Sequence, residues 1–391
     1  MPNTGVADTC ALEVRAIPGS ADVELHAVHH SSTSIDRATL ERLVERFRRE
    51  HGGQLLRAMV FGDLVDPPPP DDDRWIWVRP VWPHDLAGAS VELLGLAPLP
   101  GRAALPGRAA LPEHAALPEH DRSVRRTGPG TTVVTSATPG GTLTRRLVHC
   151  VPRPAGIGTY AQVTDALKET ETALAEAGMA PTDIDRAWFF ISDIDRTYPA
   201  LNAARDEAFD RWALRRYPAS TGIGAALPDG VAVSVVIEAS ATEGADSREA
   251  KQLAVLSTPL QTAPSDYGPR FVRGNQVQIC GRHTVNVSGI SSIDPRGVSI
   301  TSADPAVCVD YTMRSMLDVL RAGGLDVADI SSAYVYCTSS AVRAAFTAYR
   351  INHGLDFPHL LTHVPVCRPE LVFEIEARAV RAQPVNPGRS R

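Results

Sequence analysis

Residues 131–243 and 270–382 repeat one order of elements: strand, strand, helix, strand, helix, loop, strand. In the first copy, Thr131–Thr135 and Thr142–Val151 read as strands. Tyr160–Gly178 reads as an amphipathic helix with Tyr160, Val163, Leu167 and Leu174 on one side, stopped by Gly178 and Pro181. Ile184–Ile191 is an apolar strand and Tyr198–Arg216 a second helix, with Leu201, Ala208, Phe209 and Trp212 inward. A glycine-punctuated loop, Tyr217–Gly224, leads to the strand Val231–Ala239. The second copy runs Val277–Cys280, Thr284–Ser288, helix Ala306–Ala322, strand Ser332–Cys337, helix Ala341–His353, loop Thr362–Pro369 and strand Leu371–Val380. Residues 11–97 are a degenerate candidate for the same plan. They carry alternating Leu12, Val14, Ala16 and Val23, Leu25, Ala27, a helix over Ile35–Glu50, and strands at Leu55–Phe61 and Trp75–Trp82. Three such units can close into a pseudo-threefold ring, burying sheets that no unit covers alone. The expected fold is therefore α/β (α+β), with fused units and a divergent N-terminal one. The expected division is 1–97, a low-complexity linker or insertion at 98–130, then 131–246 and 247–391. The tandem GRAALPGRAALPEHAALPEH at 101–120 cannot form a packed core by itself.

The last strand separates the two copies chemically. At period two, Leu371, Phe373, Ile375, Ala377 and Ala379 share one face, and Val372, Glu374, Glu376 and Arg378 the other. Such a polar face is either a wet surface or a pocket wall. Aligning Ile237-Glu238-Ala239 with Ile375-Glu376-Ala377 gives Glu376 a counterpart in Glu238 and sets Glu374 where the other copy has Val236. On that alignment Glu374 is the residue particular to the last unit.

Composition excludes several classes. The net charge of −6, with no basic domain, argues against nucleic acid as a partner. No apolar run reaches the roughly 20 residues that span a bilayer, and no signal peptide is visible. The six cysteines are scattered without metal-ligand spacing, which suits a cytoplasmic protein with reduced thiols.

Two sets of motifs carry a resemblance. YPASTGIG before a Val-rich strand, and VCRPELVFEIEA near the end, resemble the RidA/YjgF-like fold. Tyr267-Gly268-Pro269-Arg270 with Phe271 and Arg273, the Val287-Ser288-Gly289 strand end, and Val366-Cys367-Arg368 seven residues before Glu374 resemble the chorismatases. The resemblance covers the chain well from Thr131 onward and weakly before it. It implies RidA-like units fused in one chain, a monomeric pseudo-trimer or small homo-oligomer, and chorismate as small-molecule substrate. It also implies release of pyruvate with Glu374 as general acid. Cys367 with Gly289 matches the branch that forms 3-hydroxybenzoate for secondary metabolism; alanines at both places mark the hydrolytic branch that forms a dihydroxycyclohexadiene carboxylate. The chain departs from the family at Ile290–Pro295 and at Thr338.

Under that resemblance the residues acquire roles. Loss of pyruvate from chorismate needs a proton on the enol ether, from a carboxyl group still protonated near neutral pH; burial and a nearby Glu376 would raise Glu374 in that direction. Neither a cofactor nor a metal is required. Arg368, Arg270, Arg273 and Arg205 are candidates for the substrate carboxylates, the backbone N–H groups of Ser220, Thr221 and Gly222 for one of them, and Tyr217 for a hydroxyl or carboxylate. Plainer roles stand beside these. Glu374 on a solvated face, Cys367 as a small buried hydrophobe, Tyr217-Pro218 setting a turn, glycines (Gly222, Gly224, Gly289) permitting close backbone approach and Arg205 in a surface ion pair fit the sequence too. His29 and His30 read as loop residues and His363 as a weak pocket candidate. The competing functions are a non-catalytic RidA-like binding protein and an imine deaminase, whose arginine-led site Arg368 would suit.

Overall fold

A computed structural model describes residues 12–18, 22–32, 34–52, 54–62, 64–66, 75–81, 89–98, 122–126, 130–138, 141–150, 158–243 and 250–383. The repeat 101–120 lies outside them. Three large sheets form. The first unit contains β1 (Glu13–Pro18), β2 (Asp22–Ser31), β3 (Ile35–Asp36), α1 (Arg37–His51), β4 (Gln54–Gly62), β5 (Leu64–Asp66), β6 (Trp75–Val78) and β7 (Ala89–Pro98). Its sheet order is β1-β2-β7-β4-β6. The second contains β8 (Arg122–Arg126), β9 (Thr131–Thr138), β10 (Gly141–Cys150), α2 (Gly158–Glu176), β11 (Ile184–Ile191), α3 (Ile194–Arg211), β12 (Ala219–Gly224) and β13 (Val233–Glu243), ordered β12-β11-β13-β10-β9-β8. The third contains β14 (Gln252–Leu256), β15 (Gly274–Ile279), β16 (Arg282–Ser291), α4 (Pro305–Ala322), β17 (Ile330–Cys337), α5 (Ser340–Asn352), β18 (His359–His363) and β19 (Phe373–Ala382), ordered β14-β15-β16-β19-β17-β18.

Each helix layer covers one sheet face. Met313, Met316, Leu317 and Leu320 of α4 pack on Phe373, Ile375, Ala377 and Ala379 of β19. The opposite faces of all three sheets meet at the centre, where Met59, Phe61, Trp188, Phe190, Tyr334 and Tyr336 share one cluster. The polar face of β19 thus points into the ring, and Glu374, Glu376 and Arg378 are buried.

Several expectations need correction. Ala219–Gly224, expected as loop, is an edge strand paired in parallel with β11, as β18 is with β17. Arg122–Arg126, expected in the linker, extends the second sheet through β9. Helix α3 begins at Ile194 and contains Pro199 in its second turn, where the missing N–H forgoes one i→i−4 hydrogen bond. Tyr160 is exposed and bonds Glu207 instead of facing inward. His29 and His30 lie on β2. The alignment of the last strands also shifts. A bulge opposite β13 falls between Ile184 and Arg186, and its equivalent opposite β19 between Ile330 and Ser332. Ala239 therefore matches Ala379, Glu238 matches Arg378, Val236 matches Glu376 and Ser234 matches Glu374. In the first unit the bulge between Leu55 and Arg57 sets Ser90 at the same place. Both glutamates, not Glu374 alone, are particular to the last unit relative to the second. A slip of two residues preserves the face, so period-two patterning could not reveal it.

Candidate active site

A cavity of about 310 Å³ opens between the second and third units. One wall is α3, which presents Tyr198, Asn202, Arg205 and Asp206 at helical spacing, together with Ser220 and Gly222 of β12. The other wall comes from the third unit: Tyr267, Gly268, Pro269, Phe271 and Arg273 before β15, Gly289, Ser291 and Ile293 around β16, and Cys367, Arg368 and Glu374.

Glu374 sits at the N-terminal end of β19, opposite Tyr336 on β17 and Ser291 on β16. Its side chain is buried, and no hydrogen-bond donor of the described residues reaches its carboxyl group. Burial first, and then the negative charge of Glu376, raise its pKa to about 8, while Arg273 pulls the other way. Near neutral pH the group therefore carries a proton. Gly289 gives it room: a Cβ there would overlap a Glu374 carboxyl oxygen and lie 3.1 Å from the Thr221 methyl. This residue falls in the irregular step of β16 between Val287 and Ile290. Its N–H donates to the Thr221 hydroxyl at 3.0 Å. Cys367 borders the cavity, with its thiol pushed up to about 12 by burial and then by Glu374. It is a neutral thiol, fit for packing or a weak hydrogen bond and not for nucleophilic attack near neutral pH.

The cations of the cavity differ from those of the surface. Arg205 is buried and donates to Asn202 Oδ1 at 2.8 Å, and its Nε has no hydrogen-bond partner. Burial lowers its pKa, against Tyr198 and Asp206. Arg273 is buried and donates to the Thr262 carbonyl at 3.1 Å and Tyr267 Oη at 2.9 Å. Arg368 donates to the Gly297 carbonyl and Ser299 Oγ, both at 3.0 Å. Among the described residues, none of the three forms an ion pair with a carboxylate within 4.0 Å. The cavity is thus an electropositive recess with unspent guanidinium donors, suited to an anion. Among the described residues, no three His, Cys, Asp or Glu side chains are grouped to hold a metal ion.

Three expected ligands lie elsewhere. Arg270 pairs with Asp210 and, at 3.8 Å, with the cavity-wall residue Asp206, without lining the cavity itself. Tyr217 stacks on Phe209 with centroids 5.8 Å apart, inside the second unit's core. Thr221 lies beneath the cavity, donating to Glu376 Oε2 at 2.6 Å. The N–H groups of β12 are already committed in part: Ser220 donates to Ser288 Oγ and Gly224 to the Pro365 carbonyl, both at 2.9 Å. An anion cradle of successive free N–H groups does not exist there. His363 is buried on β18 and is absent from the cavity wall. Tyr198, Asn202, Asp206 and Ser291 line the cavity although sequence reasoning passed over them. The available signal was the i, i+4, i+7 stripe of Tyr198, Asn202 and Arg205 on α3.

The departing stretch Ile290–Pro295 forms part of the far wall. Ile290 enters the core of the third unit, and Ser291 Oγ donates to the Phe373 carbonyl at 2.6 Å, tying β16 to the residue before Glu374. Asp294 accepts from the Arg296 and Val298 N–H groups and closes the turn. Thr338 bonds the Val372 carbonyl instead of entering the cavity.

With this geometry the chain was compared with known proteins. No family model matches the sequence, and no curated protein is similar to it in sequence. Among solved structures, it resembles a chorismatase crystal structure over 94% of this chain and 100% of that chain, with a TM-score of 0.57 and 16% identity. The chain has the chorismatase fold. The YjgF gene product of E. coli aligns over 33% of this chain and 98% of its own, at 27% identity and a TM-score of 0.27. E. coli TdcF with bound serine aligns over 33% of this chain and 99% of its own, at 24% identity and a TM-score of 0.27.

Proposed function

We propose that this chain is a chorismatase-like enzyme that releases pyruvate from chorismate, with Glu374 as the general acid. The observation that carries the proposal is a buried, proton-bearing carboxyl sharing one cavity with three arginines that, among the described residues, pair with no carboxylate within 4.0 Å. Chorismate is a dianion with an acid-labile enol ether, so it needs both features at once. Arg205 and Arg273 on opposite walls would hold its carboxylates, and Arg368 stands at the rim behind Cys367. Glu374 donates its proton to the methylene carbon of the enol ether, giving an oxocarbenium ion. The ring's C4 hydroxyl then displaces the ether oxygen, and pyruvate leaves. The arene-oxide-like product loses a ring proton and aromatises to 3-hydroxybenzoate. The balance closes without water: chorismate divides into pyruvate and hydroxybenzoate, and the ring proton restores Glu374.

The product assignment rests on Gly289 and Cys367. Gly289 lets the acid lie flat against β16, and the neutral Cys367 thiol fills the side of the cavity next to it. Water at that side would instead attack the activated carbon and yield the diene. The test is incubation of the purified protein with chorismate, following pyruvate and the mass of the ring product. Pyruvate with a hydroxybenzoate mass is expected. Pyruvate with the diene mass would overturn the product assignment, and no pyruvate would overturn the function in favour of a binding role. Cys367→Ala is expected to shift product toward the diene; an unchanged ratio would contradict its part in the choice.

A further inference from the structure

Glu376 lies two residues from the acid, on the same face of β19, and is fully enclosed. Four donors from three strands converge on it. Oε2 accepts from Arg186, from Trp188 Nε1 at 2.9 Å and from the Thr221 hydroxyl at 2.6 Å, and Oε1 accepts from the Tyr336 hydroxyl. Arg186 also lies over the Trp188 ring, 4.5 Å from its centroid, and donates to the Val287 carbonyl. A group met only by donors, one of them a guanidinium, is a carboxylate with a fixed position. Tyr336 stands directly opposite Glu374 in the ladder, yet its O–H is spent on Glu376. Thr221 links the surroundings of the two glutamates, since it donates to Glu376 and accepts from the N–H of Gly289, the residue whose lack of a Cβ leaves room for the Glu374 carboxyl.

We propose that Glu376 and its four donors form a built-in anion whose function is to keep the Glu374 carboxyl in its proton-carrying form between turnovers, with Glu376 acting as a positioning residue through charge. Its value for turnover rests on the function proposed above; the charge coupling itself does not. Glu374 is also faced by Arg273 before β15, by Cys367 after β18, by Tyr198 of α3 and by Tyr336 of β17. Burial comes first in holding the proton on Glu374 and the charge of Glu376 adds to it; of the cavity arginines Arg205, Arg273 and Arg368, Arg273 is the one whose charge opposes it. The donors around Glu376 moderate its field, because each aims a positive end at the carboxylate. Glu376→Gln and Tyr336→Phe therefore act in opposite directions. The first removes the charge, and the second bares it.

The test titrates the Glu374 carboxyl directly in substrate-free full-length protein with 13C-carboxyl glutamate, by infrared spectroscopy of the protonated C=O band. The band is assigned by its loss in Glu374→Gln. Glu376→Gln is expected to move its midpoint down by at least about one pH unit, and Tyr336→Phe to move it up. An unchanged midpoint in Glu376→Gln overturns the proposal. So does a downward or absent shift in Tyr336→Phe, since loosened packing that admits water lowers both. If Glu376→Gln does not fold, Tyr336→Phe decides alone. No substrate is present, so a chain that leaves chorismate intact yet shows both shifts refutes the function and not the coupling, and the reverse pattern refutes only the coupling.

Discussion

Two buried polar regions meet along β19 and are built on opposite rules. Around the ring axis, charges are matched. Arg378 bridges Glu238 at 2.8 Å and Glu24 at 3.0 Å, Arg57 binds Glu92 at 2.8 Å, and Arg186 binds Glu376. Arg378 joins all three units, and so does Arg57, which also donates to Tyr334 Oη at 2.9 Å and pairs with Glu238 at 4.0 Å. Two residues from Glu376, at the cavity, the match ends: among the described residues Glu374 meets no donor, and Arg205, Arg273 and Arg368 meet no carboxylate within 4.0 Å. A balanced network specifies how the units assemble, since each buried charge is costly unless its partner arrives from the neighbouring unit. An unbalanced one carries the cost of waiting for a ligand, which marks it as a site.

Predictions that break this contrast run from large to small. Glu374→Gln should lower chorismate-dependent pyruvate release by roughly 10²–10⁴-fold while leaving the fold intact, read by turnover and by thermal melting. Glu376→Ala should show in stability as well as in turnover. It strands Arg186 and should cost about 3–5 kcal/mol in urea unfolding, because it breaks a buried pair rather than an idle group. Arg205→Gln should raise KM for chorismate, with a loss in kcat/KM corresponding to about 1.5–3 kcal/mol and little change in stability. Gly289→Ala should displace the Glu374 carboxyl and reduce turnover without a comparable loss of stability; undiminished turnover would show that the close approach to β16 is dispensable. The smallest effect is on stability against pH. Glu374 has a folded pKa near 8 against an ordinary value of 4.5, so the unfolded chain ionises first as pH rises. Stability should fall between about 4.5 and about 8, by up to about 1.4 kcal/mol per pH unit from this group, and level off above. The slope should vanish in Glu374→Gln.

Much of the fold was legible because period two and period 3.6 repeat at matching intervals in the last two units. Ile184–Ile191 is a strand with the bounds its apolar run predicts. What the pattern hid were elements defined by partners. Ala219–Gly224 is poor in strand formers and becomes β12 only through β11. The first turn of α3 lies behind Pro199. Glu374 and Cys367 stood out by motif, and the structure sets both at the cavity. The arginines could not be sorted by sequence, since Arg270 finds Asp210 and Asp206 some 60 residues away, while the equally unremarkable Arg205 turns inward. The two-residue slip between the last strands was likewise invisible until the bulges fixed the register.

The most direct measurement is the pH dependence of pyruvate release from chorismate. An acid that must carry its proton predicts a rate that is level below the Glu374 midpoint, falls about tenfold per pH unit above about 8, and is lost in Glu374→Gln. A rate that rises through pH 8, or a Glu374→Gln variant that still releases pyruvate at the wild-type rate, would contradict it.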